Sequence, residues 1–271
     1  MTIASSFRIF VAGLLLCGSA YSASYPVKIS STNPHILVDQ HNVPFLIFGD
    51  SPHALFSNLS TPDAAVYLAD RGARGINCLW VNLICIRPVE GRKDGSLLDG
   101  TKPFTQTLSG TNLYDLTTPN EPYFAHVDEV MRIAATNGII VMMDPLETAG
   151  PLLPTALANG SDRCRAYGQY LGNRYKDFPN VMWLNGNDFQ QWSVATNDAV
   201  ITSVALGIKD KDPKHLQTRI ELPGEQFAGR PELGAHRRPE SCLHLLCNLC
   251  RGASRLQSIR QNPRVHGRGQ L

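Results

Sequence analysis

Acidic and amide side chains recur at one kind of place in this chain, directly after a short apolar run. Asp50 follows Phe45-Leu46-Ile47-Phe48-Gly49, and Asn82 follows the run from Ile76 to Val81. Asp144 follows Ile139 to Met143, and Asn185-Gly186-Asn187-Asp188 follows Val181-Met182-Trp183-Leu184. Carboxyl groups move protons, and amides hold polar groups in place. Such residues gathered along one edge of a sheet are what an α/β active site requires. His53, Asn77 and Trp80 stand close to the same positions in the chain.

The apolar runs alternate with amphipathic segments, and this alternation sets what must position those groups. Phe45 to Phe48 reads as a buried strand ending at Gly49-Asp50. Ser60-Thr61-Pro62-Asp63 then reads as a helix start, with proline in the first turn. Ile76 to Val81 is a second strand, and a polar loop rich in Gly, Thr and Pro runs from about Arg87 to Asn120. Loops of that length inside a compact domain are usually functional. Glu121 to Asn137 reads as a helix, with Phe124, Val127, Val130, Met131 and Ala134 on one face and Gly138 as its stop. Ile139 to Met143 is a third strand, Asp162 to Lys176 a helix, Val181 to Leu184 a fourth strand and Thr196 to Lys209 a helix. Leu216 to Leu222 completes the series as a fifth strand.

Continuous apolar strands between helices predict a parallel sheet covered on both faces. A closed barrel and an open doubly wound sheet both fit. No glycine-rich phosphate loop follows the first strand, which weighs against a nucleotide-binding sheet, and no cofactor is expected. The length of 271 residues suits one (β/α)₈ barrel, for which about 250 is typical. With 43% hydrophobic and 18% charged residues the chain has a globular composition. A net charge of +2 gives no reason to expect nucleic acid or an anionic membrane as a partner.

The first 22 residues read as an export signal. Arg8 supplies the positive start, Ile9 to Cys17 an apolar run too short to span a bilayer, and Ala20-Tyr21-Ser22 a cleavage site. The expectation is a mature chain starting near Ala23, in a secreted or periplasmic protein. Cys78 and Cys85 lie in or just after an apolar strand, where a small buried thiol is expected. His126 and His215 have no partner at metal-ligand spacing in the sequence, so both read as structural.

Several segments, taken in order, resemble the apiosidase-like glycoside hydrolase family. They are Ile36-Leu37-Val38-Asp39, Pro44 to Ser51, Tyr67-Leu68-Ala69-Asp70-Arg71 with Gly75-Ile76-Asn77, and Phe178-Pro179-Asn180-Val181-Met182-Trp183 leading into Gly186-Asn187-Asp188. The resemblance covers residues from about 34 to 222. It implies an α/β fold of the (β/α)₈ TIM-barrel type that cleaves sugar linkages of plant-type polysaccharides with two carboxylates. One carboxylic acid protonates the leaving oxygen while the second attacks or activates water. Carried onto this sequence, the resemblance makes Asp188 the general acid/base. Asp50, His53, Asn77, Trp80, Asn82, Asp144 and Asn185 become candidates to hydrogen-bond sugar hydroxyls or, for Trp80, to stack on a ring. The family pattern is Gly-Gly-Asp after the fourth strand, and Gly186-Asn187-Asp188 departs from it by one residue. The implied partner is a polysaccharide or oligosaccharide, with no metal. A non-catalytic carbohydrate-binding or scaffold protein on the same fold is the alternative.

After about Leu222 the pattern stops. The segment from 223 to 271 is rich in arginine and holds no Lys, Asp, Tyr or Trp, all of which occur upstream. Cys242, Cys247 and Cys250 with His236 or His244 suggest a zinc site, and the arginines a polyanion-binding tail. A reading-frame slip near 222–224 accounts for the abrupt change better. Recoded one nucleotide later with free choice of synonymous codons, the segment from Gly224 can read as a strand (APIVDL), a helix (YAEVLQAYN) and a further strand (IPVFMVEANY). The glutamate of that last strand falls where the family's second carboxylate is expected. The sequence therefore predicts a signal at 1–22, an incomplete barrel of about five β/α units at 23–222 and an aberrant, irregular tail at 223–271.

Overall fold

The computed structural model describes residues 23–86, 90–148, 152–187 and 194–218. The export signal, the tail from 223 onward and Asp188 lie outside the described residues.

An antiparallel pair comes first, β1 (Lys28–Ile29) and β2 (Leu37–Val38). It is followed by β3 (Gly49–Asp50), α1 (Leu55–Asn58), α2 (Thr61–Ala73), β4 (Cys78–Asn82) and α3 (Glu121–Thr136). Then come β5 (Ile140–Asp144), α4 (Leu152–Tyr175), β6 (Val181–Leu184), α5 (Ala195–Lys211) and β7 (Gln217–Thr218). Strands β3 to β7 form one parallel sheet in chain order, with helices on the connections. Among the described residues that is a run of consecutive barrel units, five strands where a closed (β/α)₈ barrel has eight.

The pleat sorts the strand residues into two layers. Leu79, Val81, Val141, Met143, Val181 and Trp183 face outward and join the large core under the helices. Cys78, Ile140, Met142, Met182 and Leu184 face inward and form a second core with Val27 and Ile47. Tyr25, Leu37 and Phe45 pack against that inner layer, so the N-terminal segment seals it. Asn82 and Asp144 continue the inward phase at the C-terminal ends of β4 and β5 and pair in register there.

Local chemistry explains the element ends. At the start of α2, Ser60 Oγ accepts the Asp63 N–H and donates to the Asp63 carboxylate, with Pro62 in the first turn. Arg174 joins α4 to α3 by donating to Glu121 and to Asp128, and its guanidinium lies over the Phe124 and Tyr170 rings. Glycines let α4 and α5 approach closely, because a Cβ on Gly207 would sit 2.1 Å from the Arg165 carbonyl oxygen. Cys78 and Cys85 are buried and form no disulfide.

Two elements differ from the sequence expectation. The run Phe45 to Phe48 is not a buried strand: the ladder holds only Gly49 and Asp50, while Leu46 is 71% and Phe48 54% exposed. The reason is position at the sheet edge. Among the described residues β3 pairs with β4 alone, and the Asn77 side chain takes over ladder bonds, accepting from Phe48 N–H and donating to Leu46 C=O at 2.8 Å each. The second difference is α4, which begins ten residues before the expected Asp162, at Leu152, and is broken at Gly160 with φ 70°. That φ suits glycine and interrupts the helical period, which hid the first half from pattern reading.

Candidate active site

The C-terminal ends of β4, β5 and β6 bring together a buried polar cluster. Asn82, Asp144, Glu147 and Asn187 are each at most 3% exposed. Asn82 Nδ2 donates to Glu147 Oε2 at 2.5 Å, and Asn187 Nδ2 donates to the same oxygen. Thr148 Oγ1 donates to the Gly186 carbonyl at 2.5 Å, so the turn after β5 grips the turn after β6 at a second point. The Leu83 N–H donates to the Asp144 carbonyl at 2.9 Å and carries the β4–β5 pairing into the loops.

Asp144 is wholly buried, and its Oδ1 accepts the Leu146 N–H at 3.2 Å. Burial, and then the neighbouring Glu147, push the Asp144 carboxyl well above its ordinary value. The backbone N–H groups of Leu146, Gly186 and Asn187 act in the opposite direction without cancelling that rise. A buried carboxyl beside a second one is a known way of keeping a proton available at neutral pH.

The inner face carries further polar groups. The His53 ring packs on Trp80 at 5.1 Å between centroids, and the His53 carbonyl accepts the Asn82 N–H at 3.1 Å. Asn185 follows β6 in the outward phase: its Nδ2 donates to Gln217 Oε1 at 3.0 Å, Gln217 Nε2 donates in turn to the Ala205 carbonyl of α5, and the Asn185 N–H donates to the Thr218 carbonyl at 2.8 Å, tying β6 to β7 on the helix side. Trp80 Nε1, Asn82 Oδ1, Asp144 Oδ2, Asn185 Oδ1 and Asn187 Oδ1 are buried without a hydrogen-bond partner among the described residues. An unmet buried polar atom costs about 1–3 kcal/mol.

Of the residues singled out from the sequence, the structure thus brings His53, Trp80, Asn82 and Asp144 together on the inner side, while Asn185 ends β6 on the helix side. Two more stand apart. Asp50 turns outward, where its Oδ2 accepts from Tyr67 OH at 2.9 Å and Arg71 at 3.3 Å, because the pleat places it on the helix side. Asn77 precedes β4 and clamps Leu46 and Phe48 at the opposite end from Asn82. Asp188 follows Asn187 and lies outside the described residues. Sequence reading missed Glu147 and Asn187. Glu147 is signalled only by its place three residues after Asp144. Asn187 is signalled by standing where the family pattern has glycine.

A parallel β/α arc with carboxyls and amides at its C-terminal edge is the architecture of barrel hydrolases, and the solved structures it resembles bear this out. A protein described as a glycoside hydrolase is 25% identical with a TM-score of 0.56, over 72% of this chain and 40% of the other. A glycoside hydrolase family 5 protein from Bacteroides vulgatus is 22% identical with a TM-score of 0.57, over 71% and 38%. An endo-1,4-beta-mannanase from Rhizomucor miehei shares the fold at 16% identity and a TM-score of 0.51, over 70% and 61%. The chain therefore spans less than two thirds of the length of these structures. Residues 31–227 match the apiosidase-like catalytic domain, and the chain belongs to that family. No curated protein matches it.

Proposed function

We propose that residues 23–222 are the saccharide-binding arc of a secreted glycoside hydrolase whose complete barrel cleaves glycosidic bonds in plant-type polysaccharides or oligosaccharides. The observation carrying this reading is the set of unpartnered polar atoms on Trp80, Asn82 and Asp144, on the inner side of the sheet beside a buried carboxyl pair. Sugar rings offer many hydroxyls and an apolar face, and amides with an indole match both.

In this reading Asp188 acts as general acid/base, protonating the leaving oxygen and later activating water. The attacking carboxylate belongs to a late strand that the arginine-rich tail does not supply. The chain as written then binds saccharide without turning it over. The test compares the present chain with one whose residues from 224 onward are recoded in the shifted frame. Turnover of plant-type oligosaccharides by the recoded chain alone, lost on Asp188→Asn, is the expected result. Turnover by the present chain would sink the inactivity claim. Retained turnover in the recoded Asp188→Asn chain would remove Asp188 from its role. Saccharide binding by both chains with turnover by neither favours the non-catalytic binding protein.

A further inference from the structure

The hydrogen bonds around the buried carboxyl pair divide the two groups into different roles. Glu147 Oε2 receives two side-chain amides, one from Asn82 and one from Asn187. Amide N–H groups only donate, so Oε2 carries no proton, and two bonds donated to it stabilise the charged form of Glu147. Asp144 accepts the Leu146 N–H on Oδ1 and lies near the Gly186 and Asn187 N–H groups, but no side-chain donor reaches it, and Oδ2 has no hydrogen-bond partner among the described residues. Both carboxyls are fully buried, and two neighbouring charges of one sign are not stable together there.

We infer that the pair carries one proton, lodged on Asp144, and that the charge left on Glu147 ties the turns leaving β4 and β6 to the turn leaving β5. Glu147 is thereby a positioning residue for the rim of the proposed saccharide site. Asn187 has φ 50°, the left-handed region that glycine enters freely and asparagine tolerates best among the others. A glycine at this position supplies the turn but no amide, so Asn187 adds a strut to Glu147 that the family's Gly-Gly-Asp pattern lacks. Among the described residues, other titratable groups near the pair are Tyr167, whose hydroxyl burial holds well above its ordinary value, Cys85 and Glu90. The Cys85 thiol is pushed up to about 12, by burial first and then by Glu147, and stays neutral. Glu90 is exposed.

The inference rests on the saccharide reading for the use of the rim, and its test does not. In the full-length chain at neutral pH, infrared spectroscopy should show the C=O stretch of a protonated carboxylic acid that disappears in Asp144→Asn. Hydrogen exchange read by mass spectrometry should rise about tenfold in peptides covering 83–86 and 185–187 on Glu147→Gln, the loss expected for hydrogen bonds to a charged group. The strand peptides of β4 and β5, and the same turns in Asp144→Asn, should exchange as in the native chain. An absent acid band, a band that survives Asp144→Asn, or faster exchange confined to 145–148 would overturn the inference. Should Glu147→Gln fail to fold, Asn187→Gly takes its place: exchange should rise at 185–187 and stay unchanged at 83–86, and an unmoved 185–187 overturns it. Saccharide titration of the native chain separates the two readings, since failure to bind with these results intact sinks the function and spares the proton assignment.

Discussion

Asn82 and Glu147 lie 65 residues apart in the chain and meet at 2.5 Å, joining the last residue of β4 to the turn after β5. The bond is buried, and Asn187 reaches the same Glu147 oxygen from the turn after β6. Three consecutive β/α units are thus fastened at their C-terminal ends by one side chain, which gives the rim a fixed shape before any ligand arrives.

The Asp144 carboxyl makes stability depend on pH. Its folded value lies above the ordinary 3.8, so the folded chain keeps a proton that the unfolded chain releases. Stability therefore falls as pH rises from about 4 toward the folded value, by about 1.4 kcal/mol per unit of difference between the two states. Asp144→Asn removes this dependence. Its melting temperature should match the native one near pH 4 and exceed it increasingly toward neutrality. A variant less stable than the native chain by the same margin at every pH would contradict this.

Asp212 is the opposite case. Burial pushes its pKa up, but hydrogen bonds from His215 and the Trp183 indole outweigh burial and leave it below the ordinary carboxylate value. The carboxylate accepts Trp183 Nε1 at 3.0 Å and His215 Nδ1 at 2.7 Å. This stability is present above the unfolded pKa and is lost as pH falls through the folded one. Asp212→Ala should cost on the order of 3 kcal/mol in urea unfolding at neutral pH, because it strands buried donors. A loss below about 0.5 kcal/mol, the size of an ordinary surface substitution, would show the carboxylate to be dispensable.

Gly207 marks the closest approach of α4 and α5. A methyl group there meets the Arg165 carbonyl at 2.1 Å and Gln169 N at 2.9 Å, both backbone atoms that cannot swing aside. Gly207→Ala should cost about 2 kcal/mol or more, against the usual small gain of alanine over glycine within a helix. Equilibrium denaturation decides it, and a stabilised variant would mean that the helices separate readily.

Leu46 and Phe48 expose apolar surface at the β3 edge. Exposed apolar side chains on an edge strand promote self-association. The double substitution Leu46→Lys with Phe48→Glu should reduce association in sedimentation velocity while changing stability by no more than about 0.5 kcal/mol. Unchanged sedimentation would place the sticky surface elsewhere.

The helical and strand periods were legible because they are local. Val181 to Leu184 is a continuous apolar run and folds as a strand, and Ser60 with Asp63 caps α2 as its spacing demands. The sheet edge was not legible. Phe45 to Phe48 has the composition of a buried strand, yet burial depends on which neighbours exist, and a residue string carries no record of them.

The same distinction runs through the site. Sequence alone determined that polar residues would end the apolar strands, since the alternation of runs and turns fixes that order along the chain. Only tertiary structure decided that Asp50 faces Arg71 while Asp144 faces Glu147, because the pleat assigns each residue to one side of the sheet. Glu147 gains its place from amides 65 and 40 residues away in sequence, a convergence set by strand register and invisible to spacing.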